Sequence, residues 1–190
     1  MAKISFNPSS NPYGTLRSLQ SRITRRGAMA VVLSPDRQKV LLLRREFLVL
    51  WDLPGGGVEK NEKAERAAVR ETHEETGYEI ELDCLVGRYT HQSVYGRGDQ
   101  LTLAFRGHIV GGKPKHFGLE TMGLRWFPVE RLPHSLEGLH RQIIADALAN
   151  APEPFQRHLP FPRWKLYPAR VVFFVFRWIN NVIRLVLRHG

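Results

Sequence analysis

The sequence contains very little cysteine, and this shortage restricts the compartment in which the protein works. Cys84 is the single cysteine among 190 residues, so no disulfide can form within the chain. A lone cysteine suits a reducing compartment, and we therefore expect a cytoplasmic protein. No catalytic partner surrounds Cys84 in the sequence, which favours a small buried side chain over a nucleophile.

Long apolar runs are also missing. Residues 1–26 contain no continuous apolar stretch of the kind that forms a secretory signal. The apolar segment 171–187 would rise only about 26 Å as a helix and includes arginines. We therefore do not expect a transmembrane span.

Acidic residues are absent from both ends of the chain. Residues 1–26 contain five Lys or Arg and residues 154–190 contain seven, without any Asp or Glu. Subtracting these 12 from the 28 basic residues leaves 16 against all 18 acidic residues, so the middle carries −2 of the total +10. We divide the chain into a basic N-terminal arm (1–26), a globular domain (27–150) and a C-terminal extension (151–190).

The acid-rich segment 56–78, GGVEKNEKAERAAVRETHEETGY, is the most informative part of the sequence. As a helix over about residues 62–76, it places small alanines and glutamates on one face, because successive residues rotate by about 100°. The alanines indicate that this face lies against the protein, where neighbouring carboxylates repel each other unless a cation compensates. Mg²⁺ prefers carboxylate oxygens and keeps several waters. The residues of this face are Ala64, Ala67, Ala68, Glu71 and Glu75, with Glu74 at its edge.

An ordinary solvated acidic surface is the alternative interpretation, with nearby basic residues as partners. Lys63 and Arg66, however, lie off the alanine and glutamate face. The sequence Leu-Pro-Gly-Gly-Gly at 53–57 also leads directly into the helix, and consecutive glycines let the backbone approach a ligand closely. The loop and the inward acids together favour a ligand site.

These residues resemble the Nudix box: Gly, five residues, Glu, seven residues, then Arg-Glu-U-x-Glu-Glu-x-Gly-U, where U is bulky and apolar. Two positions depart from this pattern, with Thr72 in an aliphatic place and Tyr78 in the last apolar place. Both keep a partly apolar side chain, so we expect them to affect packing rather than metal binding. The matching residues are Gly56, Glu62, Arg70, Glu71, Glu74, Glu75 and Gly77.

The resemblance implies a Nudix-type α/β/α sandwich around a mixed β-sheet over residues 27–150. It also implies Mg²⁺-dependent hydrolysis, with Mn²⁺ as the alternative, of a phosphoanhydride bond in a nucleoside diphosphate linked to another group. The family's metal ligands correspond to the Gly55 carbonyl, Glu71, Glu74 and Glu75.

Two further roles follow from the resemblance. Arg70 corresponds to a structural ion-pair partner, which we assign to Glu62. The general base corresponds either to a box glutamate, Glu71 or Glu74, or to a later loop acid, for which Glu120 is the candidate.

The rest of the domain is predicted as short strands and one further helix. The apolar runs 28–33 and 40–43 flank a Pro-Asp turn, which predicts a strand pair. Residues 139–148 have apolar positions at helical spacing. Further strands are predicted at 82–89, 100–110 and 124–127.

The substrate-binding residues are the least specified part of the sequence. Tyr95, 17 positions after Tyr78, resembles a base-stacking tyrosine of Nudix enzymes that hydrolyse dinucleoside polyphosphates. The alternative is a tyrosine in a glycine-containing loop with no such role. Arg44, Arg45 and Arg97 are candidates for binding phosphate, although each is also an ordinary surface residue.

The C-terminal extension begins with a proline-rich connector, followed by a predicted basic amphipathic helix over residues 169–188. This helix either packs against its own domain or a second subunit in a homodimer, or lies on an anionic membrane surface. Nucleic-acid binding is not expected, because the residues between the arginines are too apolar. The arginines that form one stripe are Arg170, Arg177, Arg184 and Arg188.

Two classes of function follow from the sequence. The first is a metal-dependent hydrolase, either soluble or associated with a membrane. The second is a ligand-sensing or scaffold Nudix module without turnover. The presence of Glu71, Glu74 and Glu75 together favours the hydrolase, since a binding module does not need all three acids.

Overall fold

The computed structural model describes residues 23–45, 50–92, 99–115 and 121–159. The predicted helix at 169–188, most of the N-terminal arm and three predicted site residues (Tyr95, Arg97 and Glu120) lie outside these ranges. The elements in chain order are β1 (Ile23–Val32), β2 (Lys39–Arg45), β3 (Trp51–Asp52), β4 (Gly55–Gly57), α1 (Ala64–Thr76), β5 (Tyr78–Gln92), β6 (Asp99–Gly112), β7 (Thr121–Pro128), α2 (Gly138–Leu148) and β8 (Phe155–Leu159).

The strands form two sheets. The larger sheet has the order β4-β1-β6-β5-β8 and is mixed, because β1 runs parallel to β6 and β5 runs parallel to β8. The smaller sheet has the order β3-β2-β7 and is antiparallel. Parallel pairing of β1 with β6 brings residues far apart in sequence into register, with Ala28 opposite Leu103.

The two helices pack on opposite faces of the larger sheet. Successive side chains of β1 alternate between these faces: Ala28 belongs to the cluster that contains Ala67 and Ala68 of α1, whereas Val31 belongs to the cluster that contains Ile143 of α2. The predicted α/β/α sandwich with a mixed sheet is thereby confirmed.

Helix α1 is terminated by glycine. Gly77 adopts φ +77°, and its N–H donates to the carbonyl of His73 at 2.8 Å. A side chain at this left-handed position would be strained, so glycine is the natural residue to end the helix here. Thr72, where the Nudix pattern has an aliphatic residue, is fully buried and donates its hydroxyl to the Ala68 carbonyl at 2.7 Å. Its polar group is therefore satisfied within the helix.

The strand β8 belongs to the segment that the sequence predicted as a connector. Its Arg157 forms two hydrogen bonds of 2.6 Å to the buried Asp146 carboxylate of α2. Asp146 also accepts a hydrogen bond from the buried Tyr89 hydroxyl at 2.9 Å. Burial raises the pKa of Asp146, but the bonds from Arg157 and Tyr89 outweigh it and leave that pKa below its usual value. Residues 155–159 are thus tied to α2 as well as to β5.

Two predictions about the fold were wrong. Strands β1 and β2 do not form the predicted pair, since only one isolated bridge, Leu33 to Val40, connects this part of the chain. Each strand pairs with partners from other parts of the chain instead. Cys84 is exposed rather than buried, because it lies on β5 where the register shifts. Among the described residues, no helix has the length and apolar character needed to cross a membrane.

Candidate active site

The glycine-rich loop before α1 is fixed to the edge of the larger sheet. Gly56, in β4, lies opposite Ala28 in an antiparallel pairing with β1. Backbone hydrogen bonds continue on both sides, from Ala30 N–H to the Pro54 carbonyl and from Val58 N–H to the Arg26 carbonyl, each at 3.0 Å. The position of this backbone is therefore set by the sheet and not by the loop itself.

Gly56 and Glu71 approach each other so closely that no side chain fits between them. A Cβ atom on Gly56 would lie within 2.5 Å of both carboxylate oxygens of Glu71. The next residue differs, since a Cβ on Gly57 would meet no atom within 4 Å. A side chain at position 56 would therefore displace the Glu71 carboxylate, which lies at the far end of a flexible side chain.

Glu75, one helical turn beyond Glu71, also reaches the loop. Its Oε2 accepts a hydrogen bond from the Gly55 backbone N–H at 2.8 Å. Glu71 and Glu75 share a helix face because residues four apart lie one above the other. Both carboxylates thus converge on the same short stretch of glycine backbone.

Arg70 connects the acidic residues around this loop. Its Nε and Nη2 donate to the two oxygens of Glu62 at 2.9 and 3.0 Å, a two-point pairing. Its Nη1 donates to Glu71 at 2.9 Å and to Glu74 at 3.3 Å. Nη2 also donates to the Gly57 carbonyl at 3.1 Å. One guanidinium therefore orients the start of the helix, the loop and two of the acids.

The Arg70 pairing has a clear electrostatic consequence. Hydrogen bonds from the Arg70 side chain and the Glu59 backbone lower the pKa of Glu62 from 4.5 to about 2. The same contact with Glu62 raises the pKa of Arg70. Both groups remain charged over the whole physiological pH range, so the pair acts as a permanent support.

The three acids predicted as metal ligands differ in exposure. The Glu71 side chain is 18% exposed and that of Glu74 is 57% exposed, whereas Glu75 is half-buried. The Arg70 guanidinium forms ion pairs with three carboxylates, those of Glu62, Glu71 and Glu74. The Glu71 and Glu75 carboxylates beside the glycine backbone offer the oxygen ligands that a hard divalent cation prefers. The donor set therefore fits Mg²⁺ or Mn²⁺.

The remaining predicted site residues lie on β2 or outside the described ranges. Arg44 lies on β2, opposite Trp51 of β3, and its Nε is buried without a hydrogen-bond partner among the described residues. The backbone of Arg45 belongs to β2, but its side chain is outside the description. Tyr95, Arg97 and Glu120 lie outside the described residues.

Sequence reasoning missed a second group of metal-binding residue types. Asp52, Glu137 and His140 each bring one ligand atom to within 4.8 Å of the others. These residues come from β3 and from the start of α2. No spacing in the sequence signals the group, since the segments that form it are far apart in the chain.

Comparison with known proteins agrees with this geometry. A model of the NUDIX domain matches residues 24–147. A candidate 8-oxo-dGTP diphosphatase of Bacillus subtilis is 45% identical over 107 residues, which cover 56% of this chain and 68% of that protein. An ADP-ribose pyrophosphatase of Methanocaldococcus jannaschii is 35% identical over 111 residues, covering 57% of this chain and 64% of that protein. The crystal structure of a MutT NUDIX hydrolase from Burkholderia pseudomallei superimposes with a TM-score of 0.55 at 27% identity, covering 64% of this chain and 96% of that one.

The contact between Gly56 and Glu71 yields a prediction for cation binding. Gly56→Ala should displace the Glu71 carboxylate and weaken Mn²⁺ binding by about 10-fold or more, the usual effect of disturbing a ligand's support. Gly57→Ala is the matched control, because its new methyl group meets open space. Calorimetric titration with Mn²⁺ measures both. Equal affinities for the two variants would contradict the assigned contact.

The lowered pKa of Glu62 yields a prediction for stability. A depressed acid pKa stabilises the fold above the pKa of the unfolded state, and this stabilisation is lost as pH falls towards the folded-state pKa. The difference in unfolding free energy between wild type and Glu62→Gln should therefore be largest above about pH 4.5 and shrink towards pH 2. Urea unfolding from pH 7 to 3 measures it, with Glu65→Gln on the exposed side of α1 as control. A difference that stays constant with pH would count against the pair.

Proposed function

Because this chain belongs to the NUDIX family, and is by that membership a Nudix-type pyrophosphohydrolase, we propose that it hydrolyses a phosphoanhydride bond in a nucleoside diphosphate linked to another group. The observation that carries the proposal is the convergence of Glu71 and Glu75 on the glycine backbone at 55–57. Acids held in this way serve a ligand-binding site better than they serve the stability of the helix.

A divalent cation is the cofactor that these residues would hold. We assign the Gly55 carbonyl, Glu71, Glu74 and Glu75 as its ligands, and Mg²⁺ as the ion, with Mn²⁺ as a substitute. When bound, such an ion neutralises phosphate oxygens and lowers the pKa of a bound water. The alanines at 67 and 68 are fully buried beneath this face, which fixes how far the acids stand from the sheet.

The chain's own residues supply positioning and proton transfer. Arg70, fixed by its two bonds to Glu62, holds Glu71 and Glu74 in place and is a positioning residue rather than a contact to the substrate. The Glu74 side chain is more exposed than that of Glu71, at 57% against 18%. Glu74 can therefore reach a water that attacks phosphorus. Glu120 is the alternative proton acceptor, predicted from the sequence.

The relatives and the candidate binding residues say less about the group attached to the nucleoside diphosphate than about the reaction. The relatives described above differ in substrate, one being named for 8-oxo-dGTP and another for ADP-ribose. Arg44 offers a half-buried guanidinium for a phosphate, and Arg45 and Arg97 are further candidates. Tyr95 favours a dinucleoside polyphosphate as the substrate, because its ring would stack on a base of that nucleotide. A non-catalytic sensing module is less well supported, since the chain retains every acid of the box.

The catalytic proposal predicts the effect of removing one carboxylate. Glu74→Gln should lower Mg²⁺-dependent phosphate or nucleotide release by about 100-fold, the usual effect of losing one group that acts on the transition state. Glu65→Gln, an exposed glutamate of the same helix, should behave as wild type. The assay uses 8-oxo-dGTP, ADP-ribose and diadenosine tetraphosphate with each protein. Equal release by wild type and Glu74→Gln would refute the catalytic role.

For the C-terminal segment 169–188 we propose binding to an anionic membrane surface from the cytoplasm. Its arginine stripe would meet lipid headgroups while its numerous aliphatic and aromatic residues enter the interface. Packing against a second subunit or against its own domain is the competing interpretation. The strand β8 ends at Leu159, so the segment follows a part of the chain that is anchored in the sheet.

Vesicle flotation with the 190-residue chain distinguishes these interpretations. Wild type should float with vesicles of phosphatidylcholine and phosphatidylglycerol, and less so in high salt. Arg177→Glu combined with Arg184→Glu should abolish flotation, whereas Arg88→Glu with Arg131→Glu, two exposed arginines of the folded domain, should not. Wild-type protein that stays at the bottom of the gradient at low salt would exclude membrane binding. Packing of the segment against protein would then be the supported interpretation.

A further inference from the structure

The start of α2 lies beside strand β3 through backbone contacts. Trp51 forms a bridge with Leu136, and its N–H donates to the Ser135 carbonyl at 3.4 Å. This pairing places Asp52, the next residue of β3, near Glu137 and His140 in the first turn of α2. Side chains from two distant parts of the chain are therefore held together by main-chain geometry.

Three ligand atoms meet at this junction. One carboxylate oxygen from each of Asp52 and Glu137, and one ring nitrogen of His140, lie within 4.8 Å of one another. The His140 side chain is 5% exposed and that of Asp52 is 13% exposed. Bonds of about 2.0–2.2 Å to a central metal place tetrahedral ligands roughly 3.3–3.6 Å apart, so small side-chain rotations would close these three donors around one ion.

The ring of His140 faces two groups with conflicting requirements. Its Nδ1 lies 3.3 Å from the Leu53 N–H, which donates to it, and also 3.3 Å from a carboxylate oxygen of Asp52. A single nitrogen cannot accept from Leu53 and donate to Asp52 at the same time. Both distances are long for hydrogen bonds, so little is lost if the lone pair is directed to a cation instead.

Glu137 has no competing role in the part of the chain that the structure describes. It occupies the N-cap position of α2 but makes no capping hydrogen bond with its side chain. Its half-buried carboxylate forms no ion pair or hydrogen bond with another described residue, and yet it lies beside the carboxylate of Asp52. Two carboxylates so close together repel each other unless a positive charge lies between them.

We propose that Asp52, Glu137 and His140 form a second metal site, specific for a divalent transition ion of the Zn²⁺ type. An imidazole together with two carboxylates suits Zn²⁺ and its neighbours, whereas Mg²⁺ favours oxygen ligands alone. Three protein ligands leave one position for water. The site is separate from the glutamates of α1 and does not depend on the proposed hydrolase activity. It would join β3 to α2 just before the chain enters the glycine loop.

Cobalt titration of the 190-residue chain tests this site directly. The acids of α1 are first silenced by Glu71→Gln, Glu74→Gln and Glu75→Gln, so that Co²⁺ can bind only elsewhere. We expect one equivalent of Co²⁺ to give a visible absorption band that Zn²⁺ abolishes by displacement. Adding Glu137→Gln or His140→Asn should weaken this binding by at least about 10-fold.

The matched controls are Glu130→Gln and His134→Asn, two exposed residues that precede α2. Both should bind Co²⁺ as the silenced parent does. Absence of a Co²⁺ band in the parent, or an unchanged affinity in Glu137→Gln, would overturn the proposal. Because Glu137 is half-exposed at a helix end, its variant is expected to fold, as circular dichroism checks, even if His140→Asn does not. Mg²⁺-dependent activity of the protein with intact box acids is a separate measurement, so failure of either claim is recognised independently.

Discussion

The absence of a side chain at Gly56 is the constraint on which the active site depends. The antiparallel pairing of β4 with β1 fixes the glycine backbone, and the packing of α1 on the same sheet fixes the helix that carries Glu71. The Glu71 carboxylate and the loop therefore meet at a distance that only glycine permits. Glu75 reaches the same loop through the Gly55 N–H. The position of the acids is thus a property of the sheet, the helix and one missing methyl group.

Charge compensation is the second requirement of this arrangement. The single guanidinium of Arg70 contacts three acidic side chains and the Gly57 carbonyl. Its guanidinium holds the start of α1 against the loop through Glu62, and its remaining donors steady the acids that face the ligand. A positioning arginine leaves part of the negative charge uncompensated, and a divalent cation is suited to neutralise the rest.

Local features of the fold followed from the sequence, whereas strand partners did not. The predicted α1 and α2 match the observed helices closely, because alanine and glutamate periodicity and the terminal Gly77 are local signals. Membership of the Nudix family, the sandwich fold and the enzyme class are also confirmed, since seven fixed positions of the box lie within one segment. The expected pairing of β1 with β2 was wrong because strand partners depend on contacts between residues far apart in the chain. The strand β8 was not predicted as part of the sheet, because the prolines around it favour an irregular connector.

The same limit explains the second group of ligand residues. Leu53 and His140 are 87 residues apart, so no spacing rule brings the Asp52 region and α2 together. Their proximity depends on the bridge between Trp51 and Leu136, which only the folded chain reveals. The acids of α1, in contrast, are neighbours within one helix and were identifiable from periodicity.

Anomalous diffraction from crystals grown with Mn²⁺ and a slowly hydrolysed nucleotide would locate the catalytic metal. We expect a strong peak at the manganese edge within bonding distance of Glu71 and Glu75 and beside the backbone of residues 55–57. A peak bound by other residues, or none while nucleotide is present, would contradict the assignment of this loop and helix as the metal-dependent active site.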